Sequence, residues 1–379
     1  MGWKGFSALP AAALAIVLGG TGVAYASGGW TAATLPATTT NELLYGSSCA
    51  SATACVAVGF AKQRAPLILT WDGTDWARTY PPKPSTGTAE LSGVSCYYAN
   101  RCMAVGSMTS SSGVPLPFTE QRYGTGWKIQ PAPIPSGEIE AQLSSIACPA
   151  VNWCMATGVG YTAGPDGYAA SGLAEEWNGT DWTVVPMPTV GSTTAVYGVS
   201  CTSASFCAAV GSSDNSKNHE SAVIESWDGT SWSVQPTPPP LQGAANGSDL
   251  NGVSCSAPNA CTAVGQYYTA AGAVDASVMR WDGTTWAKQA FQLDRSVFQV
   301  SCSSATSCVA LGTTQARDAG LPQLFHWNGT DWATVTTPNE GNASLQALGC
   351  SRAGYCTADG SYQNPSGRHP VSLPFIIAN

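Results

Sequence analysis

Charge is scarce in this chain. Only 10% of its 379 residues are Asp, Glu, Lys or Arg, and it has three histidines. So few imidazoles exclude a histidine-rich metal centre. A sustained i, i+3, i+4 apolar pattern is absent, which excludes a helical bundle. Beyond the first 26 residues no apolar run is long enough to cross a bilayer as a helix. Basic stripes are lacking too. The chain carries 15 Lys and Arg against 23 Asp and Glu, a net charge of −8. That balance argues against nucleic acid or an anionic membrane as partner, since both recruit basic patches. No Ser-His-Asp pattern, phosphate-cradling glycine loop or acidic calcium loop stands out, and no cofactor is implied.

What is there begins with a separable N-terminus. Lys4 starts it, an Ala-, Leu- and Val-rich stretch follows from Phe6, and Ala24-Tyr25-Ala26 ends it as a small-x-small cleavage site. Pro10 and glycines 19, 20 and 22 interrupt the stretch and disfavour a permanent anchor. Residues 1–26 read as a signal peptide and 27–379 as the exported chain, secreted and extracellular, with no membrane attachment after cleavage. Losing Lys4 takes the net charge to −9.

All 14 cysteines fall into seven local pairs with five residues between partners. They are Cys49/Cys55, Cys96/Cys102, Cys148/Cys154, Cys201/Cys207, Cys255/Cys261, Cys302/Cys308 and Cys350/Cys356. Export places them where disulfides persist. Zinc would need about four ligands together, and each repeat offers two. Seven equivalent pairs also argue against one redox-active pair. Each is expected to staple a tight hairpin between the first two strands of its repeat.

Aligned on its cysteines, the chain repeats every 47 to 54 residues. The unit reads Leu-x-Gly-Val-Ser-Cys, five residues, Cys-x-Ala-Val-Gly, a variable loop, an apolar strand, Trp-Asp-Gly-Thr-x-Trp, then a strand and prolines. Trp71–Trp76, Trp177–Trp182, Trp227–Trp232, Trp281–Trp286 and Trp327–Trp332 carry the turn. The second unit departs, with Tyr123-Gly-Thr-Gly-Trp127, shorter and without the acid. Four strand-like segments at this period predict an all-β fold, a seven-bladed β-propeller with four antiparallel strands per blade. The last unit stops after a third strand, while Trp30–Pro36 resembles a fourth strand. Residues 27–42 are therefore expected to complete the last blade and close a monomeric ring, in preference to an open solenoid or a six-bladed ring with a spare unit.

The Trp-Asp-Gly-x-x-Trp turn resembles that of lectin β-propellers, the bacterial fucose-binding and tachylectin-like proteins. It differs from the sialidase Asp-box, where Asp and Gly are separated. The whole exported chain is similar to the disulfide-stapled propeller repeats of secreted actinobacterial proteins. That resemblance implies fold more than activity.

Alternating strand direction puts the 1–2 and 3–4 turns on one face, the stapled face. The 2–3 and 4–1 loops lie on the other, variable face. A specific site needs differences between blades, so ligand binding is expected on the variable face. The residues singled out are Tyr161, Asp166 and Tyr168 in unit 3, His219 in unit 4, Tyr267 and Tyr268 in unit 5, and Tyr362 and Arg368 in unit 7. Tyrosine faces with polar neighbours suit a glycan or cell-wall polysaccharide. The alternatives are a glycoside hydrolase or polysaccharide lyase, and a protein-binding scaffold. A hydrolase would need two placed carboxylates, and Glu120, Glu175, Glu176 and Glu225 read more readily as residues at sheet ends or between blades. A binding protein is therefore favoured over an enzyme.

Overall fold

A computed structural model describes residues 35–36, 41–85, 87–164, 167–214, 220–239, 247–291, 296–313, 322–335, 343–364 and 367–376. It is a seven-bladed β-propeller. The blades span 43–79, 89–130, 140–185, 194–235, 248–288, 297–335 and 343–376. Six blades are four-stranded antiparallel sheets in sequence order, and the seventh has three described strands. In blade 6 the strands are Val297–Ser304, Ser307–Thr313, Pro322–Trp327 and Trp332–Val335. The first strands of adjacent blades lie side by side around the ring, and blade 7 packs on the first strand of blade 1.

The expected closing strand, Trp30–Pro36, lies outside the described residues apart from Leu35 and Pro36. Leu35 packs against the cluster that holds Trp76 and Tyr355, at the seam between blades 7 and 1. The signal peptide also lies outside the described residues. Among those residues no helix is long and apolar enough to cross a membrane.

Six of the cysteine pairs sit directly opposite across strands 1 and 2, as in Cys49↔Cys55 and Cys255↔Cys261, while in blade 3 a register shift falls at Cys154. All seven are disulfides with Cα atoms 3.9 to 4.1 Å apart. Such bonds require an oxidising environment to form and persist.

Each pair staples its 1–2 hairpin as expected. The second cysteine of each pair is also core. Cys55, Cys102, Cys154, Cys207, Cys261, Cys308 and Cys356 are all buried, as is Cys49. The reason is strand position: strand 2 lies inside its sheet, and its side chains pack on the neighbouring blade. Cys102 joins Val56, Val58 and Ile68 of blade 1. Cys154 joins Met103 and Val105 of blade 2. Cys308 joins Val264 and Val278 of blade 5. None of these sulfurs is a surface site for a ligand.

The tryptophan turn is built by its acid. In blade 1 Asp72 Oδ1 accepts the backbone N–H groups of Thr74 and Asp75 at 2.8 and 2.9 Å and the Thr74 hydroxyl at 2.8 Å. Asn178, Asp228, Asp282 and Asn328 repeat this. These bonds hold the carboxyls of Asp72, Asp228 and Asp282 down at about 2. The glycine after the acid takes φ near +100°, from 99° to 105°, which a side chain disfavours. The flanking tryptophans then face each other, ring centroids 5.7 to 5.8 Å apart. Trp71, Trp227 and Trp281 donate Nε1–H to carbonyls of the 1–2 hairpin at 2.9 to 3.1 Å. The two turns of a blade are thus locked together on one face, as the alternation of strands requires.

The serine before the first cysteine links blades. Ser48, Ser95, Ser200, Ser254 and Ser301 each accept, on Oγ, a backbone N–H from the first strand of the next blade. The donors are Cys96, Cys148, Cys255, Cys302 and Cys350, at 2.9 to 3.0 Å. Blade 3 carries Ala147 there, and Ser145 instead accepts from Val199 N–H at 3.2 Å. Blade 7 carries Gly349, and its seam with blade 1 is held by Ser47 and Thr357 hydroxyls 2.8 Å apart. Removing one hydroxyl leaves a part-buried N–H unpaired. Ser254→Ala is therefore expected to lower unfolding free energy by about 1–2 kcal/mol, read as a lower urea midpoint at unchanged slope. An unchanged midpoint would mean that these bonds contribute nothing net.

Candidate ligand site at the channel mouth

Every first strand carries a β-bulge at the same place. The register slips between Leu44 and Gly46, Leu91 and Gly93, Leu143 and Ser145, Val196 and Gly198, Leu250 and Gly252, Val297 and Gln299, and Leu345 and Ala347. The cause lies on strand 2. The glycine closing Cys-x-Ala-Val-Gly sits so close to the first strand that a Cβ would collide with its backbone, for example Gly59 with Leu43 O and Gly265 with Asp249 O. A bulge inserts one extra residue and redirects it.

The extra residues are Tyr45, Ser92, Ser144, Tyr197, Asn251, Phe298 and Gln346. All are half-buried and ring the mouth of the central channel on the variable face. Below them the channel narrows to a cavity of about 270 Å³, lined by the seven first strands and rich in serine and backbone. Its inner strands crowd one another: a Cβ on Gly46 would stand 2.9 Å from Ser92 O of the next blade.

The mouth is not symmetric. Between blades 6, 7 and 1 it opens into a pocket of about 430 Å³ lined by Tyr45, Phe298, Thr313, Pro322, Ser344, Leu345 and Gln346. That size lies within the range of small-molecule sites, roughly 300–1,000 Å³. Two rings and an apolar wall face one primary amide and hydroxyls, a set that can stack on a ring and bond its polar edge.

Across the channel the mouth is acidic. Asp249 is buried and accepts from Asn251 Nδ2 at 2.5 Å and Gln266 Nε2 at 3.0 Å. Burial pushes its carboxyl up while those two bonds pull it down. Glu220 is pushed up by burial, then by the charges of Asp249 and Asp214. The Tyr197 hydroxyl lies 3.0 Å from Ser212 Oγ. Among the described residues no three His, Cys, Asp or Glu side chains are placed to hold a metal ion.

Those residues singled out from sequence that are described sit on or beside the 2–3 hairpins of blades 3, 5 and 7 rather than in one pocket. Tyr161 is half-buried and acts electrostatically on Tyr197 of the neighbouring blade. Tyr168 is exposed. Tyr267 donates its hydroxyl to Asp275 at 3.1 Å, with the Lys288 ammonium 5.2 Å from its ring. Tyr268 donates its backbone N–H to Gly247 O at 2.9 Å. Tyr362 stacks on His369 at 5.4 Å. Asp166 and His219 lie outside the described residues, as does the side chain of Arg368, whose backbone pairs with Gln363.

Sequence reasoning passed over the mouth residues. Their signal was the x of Leu-x-Gly-Val-Ser-Cys, a variable position inside a near-constant motif. The carboxylates considered for hydrolysis are elsewhere. Glu120, Glu175 and Glu225 are buried in third strands, on the face that packs against the preceding blade. Glu176 accepts the Trp153 indole N–H at 2.6 Å.

No protein-family model matches the chain, and no curated protein matches it in sequence. Among solved structures the chain is similar to one described as YCF48 bound to D1 peptide. The TM-score is 0.57 at 12% identity, over 94% of this chain and 97% of that one. It is also similar to YCF48 from Cyanidioschyzon merolae, with TM-score 0.55 at 14% identity, over 92% and 99% of the two chains. At such identity the likeness is one of fold.

Proposed function

We propose that this chain is an exported carbohydrate-binding propeller that takes a sugar ring in the channel-mouth pocket. The observation that carries the reading is Tyr45 and Phe298 flanking the Gln346 amide on three consecutive blades. Aromatic faces stack on the apolar face of a pyranose, while an amide bonds adjacent hydroxyls. Because the bulge residue differs from blade to blade, the reading expects one principal site rather than seven. Binding without turnover is expected, since Glu120, Glu175 and Glu225 are enclosed between blades. The seven disulfides accord with an extracellular setting.

The test is a broad glycan and cell-wall polysaccharide array, followed by titration of the best neutral ligand. Tyr45→Ala and Phe298→Ala are each expected to weaken that ligand at least tenfold, with Tyr168→Ala near neutral. Undiminished binding in both would remove the site.

A second reading is that the same pocket holds a peptide. The apolar wall of Phe298, Pro322 and Leu345 favours it, and one structural neighbour is described as bound to a peptide. Retention of peptides and of no glycan, lost in Phe298→Ala, would select it.

A further inference from the structure

Blade 2 departs from the repeat at four places, all at the turns of the stapled face. Tyr97 and Tyr98 stand in its 1–2 hairpin where blades 1, 3, 4, 5 and 6 carry Ala, Pro, Ser or Thr. Arg122 replaces the tryptophan that pairs with the second cysteine in those blades, and Tyr123 replaces their Asp or Asn. The turn is therefore not shorter than the others, contrary to the expectation from sequence: Arg122 faces Trp127 as Trp71 faces Trp76. Five blades show that the turns fold without these residues, so the fold does not demand them.

They form one exposed cluster. Tyr97, Tyr98 and Tyr123 are 39%, 56% and 65% exposed, and Val151 of blade 3 is 44% exposed. A register shift between Cys96 and Tyr98 turns the adjacent rings together, and their centroids lie 4.5 Å apart, edge to face. Arg101 lies 3.8 Å over the Tyr123 ring and donates Nη1–H to the Asn100 carbonyl at 3.2 Å. The described ion pairs are Arg64–Glu90 and Arg78–Glu42, so neither Arg101 nor Arg122 pairs with a carboxylate of the described chain. On either side the rim is acidic, with Asp72 and Asp75 in blade 1 and Asp181 in blade 3.

We propose that the stapled face of blade 2 binds an acidic polysaccharide. Its sugar rings lie on Tyr97 and Tyr98, and Arg101 pairs with its carboxylates. The recess between blades 2 and 3 is only about 10 Å³, so it has no pocket for the buried anchor on which protein interfaces depend. Exposed rings beside a guanidinium that pairs with no carboxylate of the described chain suit a short stretch of uronate chain. With a net charge of −8, the protein as a whole repels polyanions, so any binding must come from such a local patch.

The proposal is independent of the channel-mouth reading. Native gel electrophoresis of the whole protein through polygalacturonate is expected to retard it, increasingly so at low salt, whereas dextran and poly-L-glutamate are not. Tyr98→Ser, Arg101→Ala and Tyr123→Asp each install a residue that other blades carry at that place, so their unfolding midpoints should hold. Each is expected to weaken retardation at least tenfold, while Tyr45→Ala leaves it unchanged. The proposal is overturned if polygalacturonate causes no retardation, if poly-L-glutamate retards equally, or if folded variants behave like the parent.

Discussion

Replacing the three buried glutamates with the apolar residues of other blades is expected to stabilise the protein, and far more at pH 8–9 than at pH 4. Glu120, Glu175 and Glu225 are 0%, 0% and 1% exposed, and none of their carboxylate oxygens has a hydrogen-bond partner in the described protein. They pair with Ala104, Ala156 and Ala209 of strand 2. The matching positions in blades 1, 5 and 6 are Leu69, Met279 and Phe325. Burial pushes the carboxyls of Glu120 and Glu175 up to about 8, the latter raised further by Glu138, and that of Glu225 to about 7. Below pH 4.5 the folded and unfolded chains both hold these protons. As pH rises, the unfolded chain ionises first while the folded one keeps its protons, so stability falls until the folded groups titrate near 7 to 8. At about 1.4 kcal/mol per unit, the loss is on the order of 3–5 kcal/mol per residue by pH 9. Glu120→Leu, Glu175→Leu and Glu225→Met combined should therefore flatten the descending alkaline limb and raise the urea midpoint there. The Glu→Gln set separates the causes, because it abolishes titration while keeping an unpaired polar group. It should flatten the profile without stabilising at pH 4. A parent whose stability is constant from pH 5 to 9 would show that these carboxyls are solvated or paired in solution.

These glutamates also show which parts of the molecule a repeat makes legible. Blade number, strand order, disulfide pairing and the tryptophan turn each recur five to seven times, and one local cause explains each: a two-residue hairpin, an Asp cap, a glycine at positive φ. Pairing is a property of one blade, but burial is not. That Cys102, Cys154 and Cys308 are core follows only from the blade beside each of them. The serine ring was written in the same repeat. Its meaning also lies between blades, in a bond from Ser254 Oγ to the Cys302 N–H, which a pattern within one blade does not display. The mouth residues were harder to see. A bulge breaks strict alternation, so Tyr45 and Phe298 look like one more strand position until the slip is known. The loop tyrosines drew attention because their setting is polar, yet position on a loop does not make residues converge. Blade 2 was read as an imperfect copy. Only with the turns in place do Tyr97, Arg101 and Tyr123 come onto one surface.

The largest effect is expected from the disulfides. Each closes a short loop, and the chain-entropy model assigns about 2 kcal/mol to a loop of this length, on the order of 15 kcal/mol for seven. Whole domains are stable by about 5–15 kcal/mol, so a chain reduced throughout should not fold at neutral pH. The route to that state matters. Cys55, Cys207, Cys261, Cys308 and Cys356 are at most 1% exposed, and attack needs a thiolate to reach a sulfur. The native protein is therefore expected to keep its disulfides in millimolar dithiothreitol for hours, and to lose them together once urea opens the blades. After reduction and removal of urea, far-UV circular dichroism should show no β-sheet, whereas the oxidised chain regains it. Single pairs carry a second cost besides the loop. Cys49 and Cys55 both belong to an apolar cluster with Leu67, Leu69 and Trp76. Cys207 belongs to one with Trp227 and Trp232. Substituting both cysteines of a pair with Ala should cost about 2 kcal/mol at either place by loop entropy. A further loss is expected at both places, where the missing sulfurs leave a cavity among large side chains. Refolding of the fully reduced chain would show that seven inter-blade cores suffice by themselves, and that the cysteines protect the fold rather than create it.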